Sequence, residues 1–132
     1  MKDNLFKNVQ AFSSFSVDDL QKAKQFYGDT LGLSVHEEDN EMGLTLELES
    51  GIRVFIYPKK NHTPATFTVL NFPVPDIDEA ADALAELGIA LERYEGFHQD
   101  EKGIARSTAT SDGPDVAWFK DPAGNVLSIL EE

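Results

Sequence analysis

Arg53, Tyr57 and a polar run near position 100 are the side chains of this 132-residue sequence best suited to chemistry. Arg53 can fork onto a carboxylate, and Tyr57 can hydrogen-bond or pass a proton. The run His98, Asp100, Glu101 and Lys102 gathers acid and base groups, which suits proton transfer but also describes a solvated turn. His36, His62 and His98 have no paired spacing such as i, i+4 and share no carboxylate that would complete a metal set, so each reads as a surface residue. Glu47 and Glu49 alternate with Leu44, Leu46 and Leu48, the pattern of a solvated strand face. Cysteine is absent, which removes a thiolate metal site, a cysteine nucleophile and a disulfide framework together. There is no Ser-His-Asp arrangement, phosphate-cradling glycine loop or informative pair of carboxylates.

The charge balance narrows the partners. With 24 acidic against 11 basic residues the net charge is −13, which repels phosphate backbones and anionic membrane surfaces. No nucleic-acid and no membrane partner is expected. A cationic ligand would be attracted, although solubility accounts for the acidity equally well. The start, MKDNLFKNVQ, lacks an apolar core of the signal-peptide kind, and no 18 consecutive residues are apolar, so a soluble cytoplasmic protein is expected. The length suits one compact domain over 1–132.

Two copies of one unit position these residues. FSVDDLQKA at 15–23 is echoed by FPVPDIDEA at 72–80, and each segment runs on to a Leu-Gly pair, Leu31-Gly32 and Leu87-Gly88. Before each Asp the apolar residues alternate, as in a half-buried strand. After it the period becomes helical: Leu20, Ala23, Phe26, Tyr27 and Leu31 form one stripe, and Ile77, Ala80, Ala81, Leu84 and Leu87 the other. Asp19 and Asp76 are the expected N-caps, Glu79 completes a capping box, and Gly32 and Gly88 are the expected left-handed helix ends. Further strands are expected at about 34–39, 42–49 and 52–58, then 89–95, 114–120 and 125–131. Ser50-Gly51 and Asp121-Pro122-Ala123-Gly124 supply the hairpin turns. The result is an α+β fold of two tandem βαβββ modules, at about 8–58 and 66–131, with a linker at 59–65. Residues 96–113 have no counterpart in the first copy, so they are either a functional lid or disordered.

FSVDDLQKAKQFYGDTLGLSV at 15–35 and WFKDPAGNVLSILE at 118–131 resemble the signature stretches of the vicinal-oxygen-chelate superfamily, which includes glyoxalases, bleomycin-resistance proteins and extradiol dioxygenases. The resemblance implies a curved, eight-stranded mixed sheet forming a cup, with the helices outside and the ligand inside. It also implies homodimerisation, and in the metal-dependent members a divalent ion held by His and Glu from the first and fourth strands of each module. Matched one at a time, those positions fall on Phe12, Phe55, Val69 and Ser128. No metal and no other cofactor is therefore expected.

The face left to the cup carries Phe12, Ser14, Arg53, Phe55 and Tyr57 in the first module and Val69, Asn71, Trp118 and Ser128 in the second. His98, Asp100, Lys102 and Arg106 belong to the candidate lid. Such a face is either a small-molecule pocket or a filled core. The first functional reading is a metal-free protein that sequesters or senses a small, partly aromatic or cationic ligand. Its rivals are a glyoxalase-like lyase, isomerase or dioxygenase with shifted ligands such as Glu47, Glu49 or His98, and an antitoxin-like or structural module without a pocket.

Overall fold

The computed structural model describes residues 5–107 and 113–132. The chain divides into two compact units, Met1–His62 and Thr63–Glu132. The fold is α+β, with one mixed sheet in each unit. Among the described residues no helix is long and apolar enough to cross a membrane.

In the first unit, β1 (Ser13–Val17), β2 (Ser34–Glu37), β3 (Leu44–Glu47) and β4 (Arg53–Pro58) lie in the order β1-β4-β3-β2. β1 runs parallel to β4, and the β2-β3 and β3-β4 pairs are antiparallel. Alternation divides the sheet as the sequence requires. Phe15, Val17, Leu44, Leu46, Val54 and Ile56 are buried on one side, with Ala23, Phe26 and Tyr27 of the helical segment completing the core. Helix α1 (Leu20–Lys24) starts at Asp19, whose carboxylate accepts from the Lys22 N–H. It then widens into a π-helical turn over Gln25–Thr30, where the Leu31 N–H reaches back to the Phe26 carbonyl, and it ends at Gly32 with φ of 75°. Adjacent residues on a regular helix diverge by about 100°. The wider turn buries both Phe26 and Tyr27.

In the second unit, β5 (Thr68–Val74), β6 (Val116–Lys120) and β7 (Val126–Glu131) are ordered β5-β7-β6, with β5 parallel and β6 antiparallel to β7. Helix α2 (Ile77–Glu86) is capped by Asp76, which accepts from the Glu79 N–H, and buries Ile77, Ala81 and Leu84. Ala117, Phe119, Leu127 and Ile129 complete that core. The Asp121 turn closes the last hairpin: the Gly124 N–H bonds the Asp121 carbonyl, and the Asp121 carboxylate accepts from the N–H groups of Ala123 and Asn125 and from the Asn125 amide.

Three details differ from the expectation. The strand expected at 89–95 is reduced to one bridge, Glu92 to Trp118. The Gln99 side chain takes the neighbouring backbone groups, donating to the Glu92 carbonyl and accepting from the Tyr94 N–H, so a ladder cannot extend there. The pairing of β5 with β7 slips between Thr68 and Leu70, leaving Val69 as the unmatched residue of a bulge. The stretch 96–107 is built rather than open, with Ile104 at 0% and Ala105 at 9% exposure and bridges joining Gln99, Ala105 and Val116. Residues 108–112 of the candidate lid lie outside the described residues.

Candidate functional site

Each sheet has a second face turned away from its helix. In the first unit the register sets Ser14 beside Phe55, Ser16 beside Tyr57, Thr45 opposite Phe55 and Glu47 opposite Arg53, so these side chains share one face. Phe12, Glu38, Thr45, Arg53 and Phe55 line a pocket of about 190 Å³. The Arg53 guanidinium lies 5.9 Å from the Phe12 ring centroid, and Phe55 and Tyr57 stack at 6.1 Å and 18°. Glu38 accepts from the Thr45 hydroxyl at 2.7 Å. Phe12 is 60% exposed, so it stands at the rim and is not core. His62 departs from the surface role expected of a linker residue. It is half-buried, with Nδ1 2.7 Å from the Ser16 hydroxyl on this same face.

Glu47 lies on the pocket face, solvated as its alternation with the leucines predicts and 3.2 Å from His36 Nε2. Glu49 has left the strand for a 3-10 turn over Glu49–Gly51.

The corresponding face of the second unit carries Asn71, Trp118 and Ser128, which the register aligns across three strands. Ser128 is fully buried, and its hydroxyl donates to the Asn71 side-chain oxygen at 2.6 Å. Four aromatic rings, Phe67, Tyr94, Phe97 and Trp118, line a pocket of about 420 Å³ floored by Thr66, Thr68 and Val126. Because of the bulge, Thr68 and not Val69 pairs with Val126 and reaches this pocket. The sequence reading missed Phe67, Tyr94 and Phe97 here, and Glu38 and Thr45 in the first unit. For Thr45 the signal was present, since it alternates with Leu44 and Leu46. Tyr94 and Phe97 lie in a segment without a period, where only their density around Gly96 marks them, and Phe67 stands just ahead of β5.

Of the positions that the metal-dependent relatives would use, Phe12, Phe55 and Val69 offer no donor atom, and the Ser128 hydroxyl is held by Asn71. This set does not fit a divalent cation. Among the described residues no three His, Asp or Glu side chains are gathered to hold one.

The candidate lid residues are tied to α2. Arg106 donates to Asp78, Asp100 and Asp115, and Lys102 lies 3.0 Å from Asp82 and 3.4 Å from Asp78. Asp100 also accepts from the N–H groups of Lys102, Gly103 and Ile104, and Arg93 clasps the carbonyls of Asp100 and Glu101. His98 stands apart and exposed.

The Arg106 hydrogen bond chiefly lowers the Asp78 pKa. Burial opposes ionisation of Asp100, but its bonds from the Ile104 N–H and from Arg106 outweigh that and lower its pKa. The Ser107 N–H does most to lower that of Asp115. Carboxylates with depressed pKa values contribute stability above their unfolded pKa of about 4, and lose it as the pH falls through the folded values. Arg106→Met should therefore lower the melting temperature at pH 7 by roughly 3–6 °C, and the gap from wild type should close as the pH falls through the folded carboxylate values. A gap that persists unchanged into acid would contradict this account.

Residues 10–129 match the model of the Glyoxalase/Bleomycin resistance protein/Dioxygenase superfamily. The chain is 30% identical over 129 residues to the uncharacterized protein YraH of Bacillus subtilis (strain 168), covering 87% of this chain and 91% of that one. Among solved structures, a member of the same superfamily from Sphaerobacter thermophilus DSM 20745 matches with a TM-score of 0.67 and 24% identity, over 94% of this chain and 98% of that one. TnmS3, an antibiotic binding protein from Streptomyces sp. CB03234, matches with a TM-score of 0.65 and 21% identity, over 94% and 97%. The two structural likenesses concern the fold, and the family match spans both units. The chain belongs to the glyoxalase/bleomycin resistance protein/dioxygenase superfamily.

Proposed function

We propose that this protein binds a small, partly aromatic or cationic molecule without a metal, sequestering or sensing it. The observation that carries the reading is the donor chemistry at the family's metal positions, where Phe12, Phe55 and Val69 stand with a Ser128 already engaged by Asn71. An apolar, ring-lined wall with a few convergent polar groups is the ordinary composition of a small-molecule site. In the first unit Arg53 answers a carboxylate, and Glu38, with the net charge of −13, favours a cationic group. The shared fold of the antibiotic-binding TnmS3 supports a binding role. A homodimer in the cytoplasm belongs to the same reading.

Protein stripped with chelator and then dialysed against nickel, zinc, iron or manganese should retain far less than one equivalent by elemental analysis. It should still gain melting temperature from members of a metabolite and antibiotic panel. Stoichiometric retention of any of these metals overturns the reading. Among the hits, an aromatic carboxylate should lose about tenfold in affinity on Arg53→Ala, the scale of one charge-assisted hydrogen bond at an exposed rim.

A further inference from the structure

The aromatic pocket of the second unit differs in chemistry from the pocket of the first. No charged side chain lines it, and the residues that bring hydrogen-bonding side chains to it are Thr66, Thr68, Tyr94 and Trp118. An ionic ligand placed there would shed part of its water with no opposite charge to replace it. Its volume of about 420 Å³ lies in the range of small-molecule sites.

The arrangement of rings also leaves one position open. Phe97 meets Trp118 at 4.9 Å and 56°, and Tyr94 meets it at 5.5 Å and 73°. Among the described residues no ring lies parallel to the Trp118 indole. In the first unit, by contrast, Phe55 and Tyr57 stack on each other. Phe67 and Phe97 stand 68% and 56% exposed at the rim, a large apolar area facing water. Phe97 is nonetheless held in place, because Gln99 closes its loop by bonding the Glu92 and Gly103 carbonyls and the Tyr94 N–H. A rim ring fixed in advance loses little entropy when a ligand arrives.

We infer that this pocket holds an uncharged, planar aromatic ring system, stacked on Trp118 and covered by Phe97; the inference rests on the metal-free binding reading above and names the ligand class for this half of the chain. A planar ring supplies the parallel partner the indole lacks, and the threonine hydroxyls at its edge accept or donate to a neutral polar substituent.

Trp118 is the chain's one tryptophan, so its fluorescence reports on the site directly. The full chain would be titrated, by fluorescence and calorimetry, with 2-naphthamide, with naphthalene-2-sulfonate as the charged ring and with cyclohexanecarboxamide as the non-aromatic amide. The naphthamide should bind and perturb Trp118, the two others at least tenfold more weakly. Phe97→Ala, a change at an exposed position, should weaken the naphthamide about tenfold, the scale of one aromatic contact.

Equal binding of the sulfonate or the alicyclic amide overturns the inference, as does indifference to Phe97→Ala. So does a concentration-dependent dimer, seen by sedimentation, that buries Trp118 and is broken by Phe97→Ala, since a second copy would then be the occupant. If panel ligands bind in an Arg53-dependent way while the naphthamide does not, this inference fails and the metal-free reading stands. If chelator abolishes panel binding while the naphthamide still depends on Phe97, the metal-free reading fails instead.

Discussion

Gly43→Ala is expected to lower stability by about 2–4 kcal/mol and the melting temperature by roughly 10 °C, and to remove ligand binding in the first unit. Gly43 is buried just before β3. A Cβ added there would lie 2.6 Å from the Ile56 carbonyl oxygen and 2.6 Å from two carbons of the Phe55 ring. The carbonyl belongs to β4 and cannot retreat without breaking its ladder, so the ring must move or the strands must part. Phe55 walls the pocket and stacks on Tyr57, which makes a stability defect and a binding defect arrive together. Thermal melting alongside titration of a panel ligand measures both. A variant that melts like wild type would mean that β4 has room the structure does not show.

Asp121→Ala should cost about 3 kcal/mol, most of it from donors left buried without an acceptor. Its carboxylate receives the Ala123 and Asn125 N–H groups at 2.9 and 2.8 Å and the Asn125 amide at 3.0 Å, and the two residues are 5% and 2% exposed. The turn fixes the register of β7 against β6, and with it the placement of Ser128 opposite Trp118. Asp121→Asn keeps the shape and one acceptor, so its loss should be roughly half as large. Chemical denaturation of the two variants orders them. Equal losses would show that the acceptor kept by Asn contributes nothing, contrary to its bonds from the Ala123 and Asn125 N–H groups.

Much of this architecture could be read from residue order, because its causes are periodic or local. Strand alternation placed Ser14, Arg53, Phe55 and Tyr57 on one face, and Asn71, Trp118 and Ser128 on another, since a half-buried strand repeats every two residues. The Asp caps, Gly32, Gly88 and both turns depend on a few adjacent residues. What escaped is set by contacts distant in sequence. Val69 leaves the ladder through a slip of β5 on β7, and nothing in the residues around it announces that. Arg106 draws together Asp78, Asp100 and Asp115, spread over 38 positions, from a segment that has no period. Phe67, Tyr94 and Phe97 gather in one pocket with Trp118 for the same reason.

The π-helical turn over Gln25–Thr30 accounts for a difference in length between the two helical segments. Thirteen positions separate Asp19 from Gly32, and twelve separate Asp76 from Gly88. The cap and the terminating glycine are equivalent in the two copies, and α2 is a regular α-helix. The first segment is one residue longer between cap and glycine, and the widened turn takes that residue up within the helix. One widened turn can thus hold an extra residue without a shift of frame in the flanking strands.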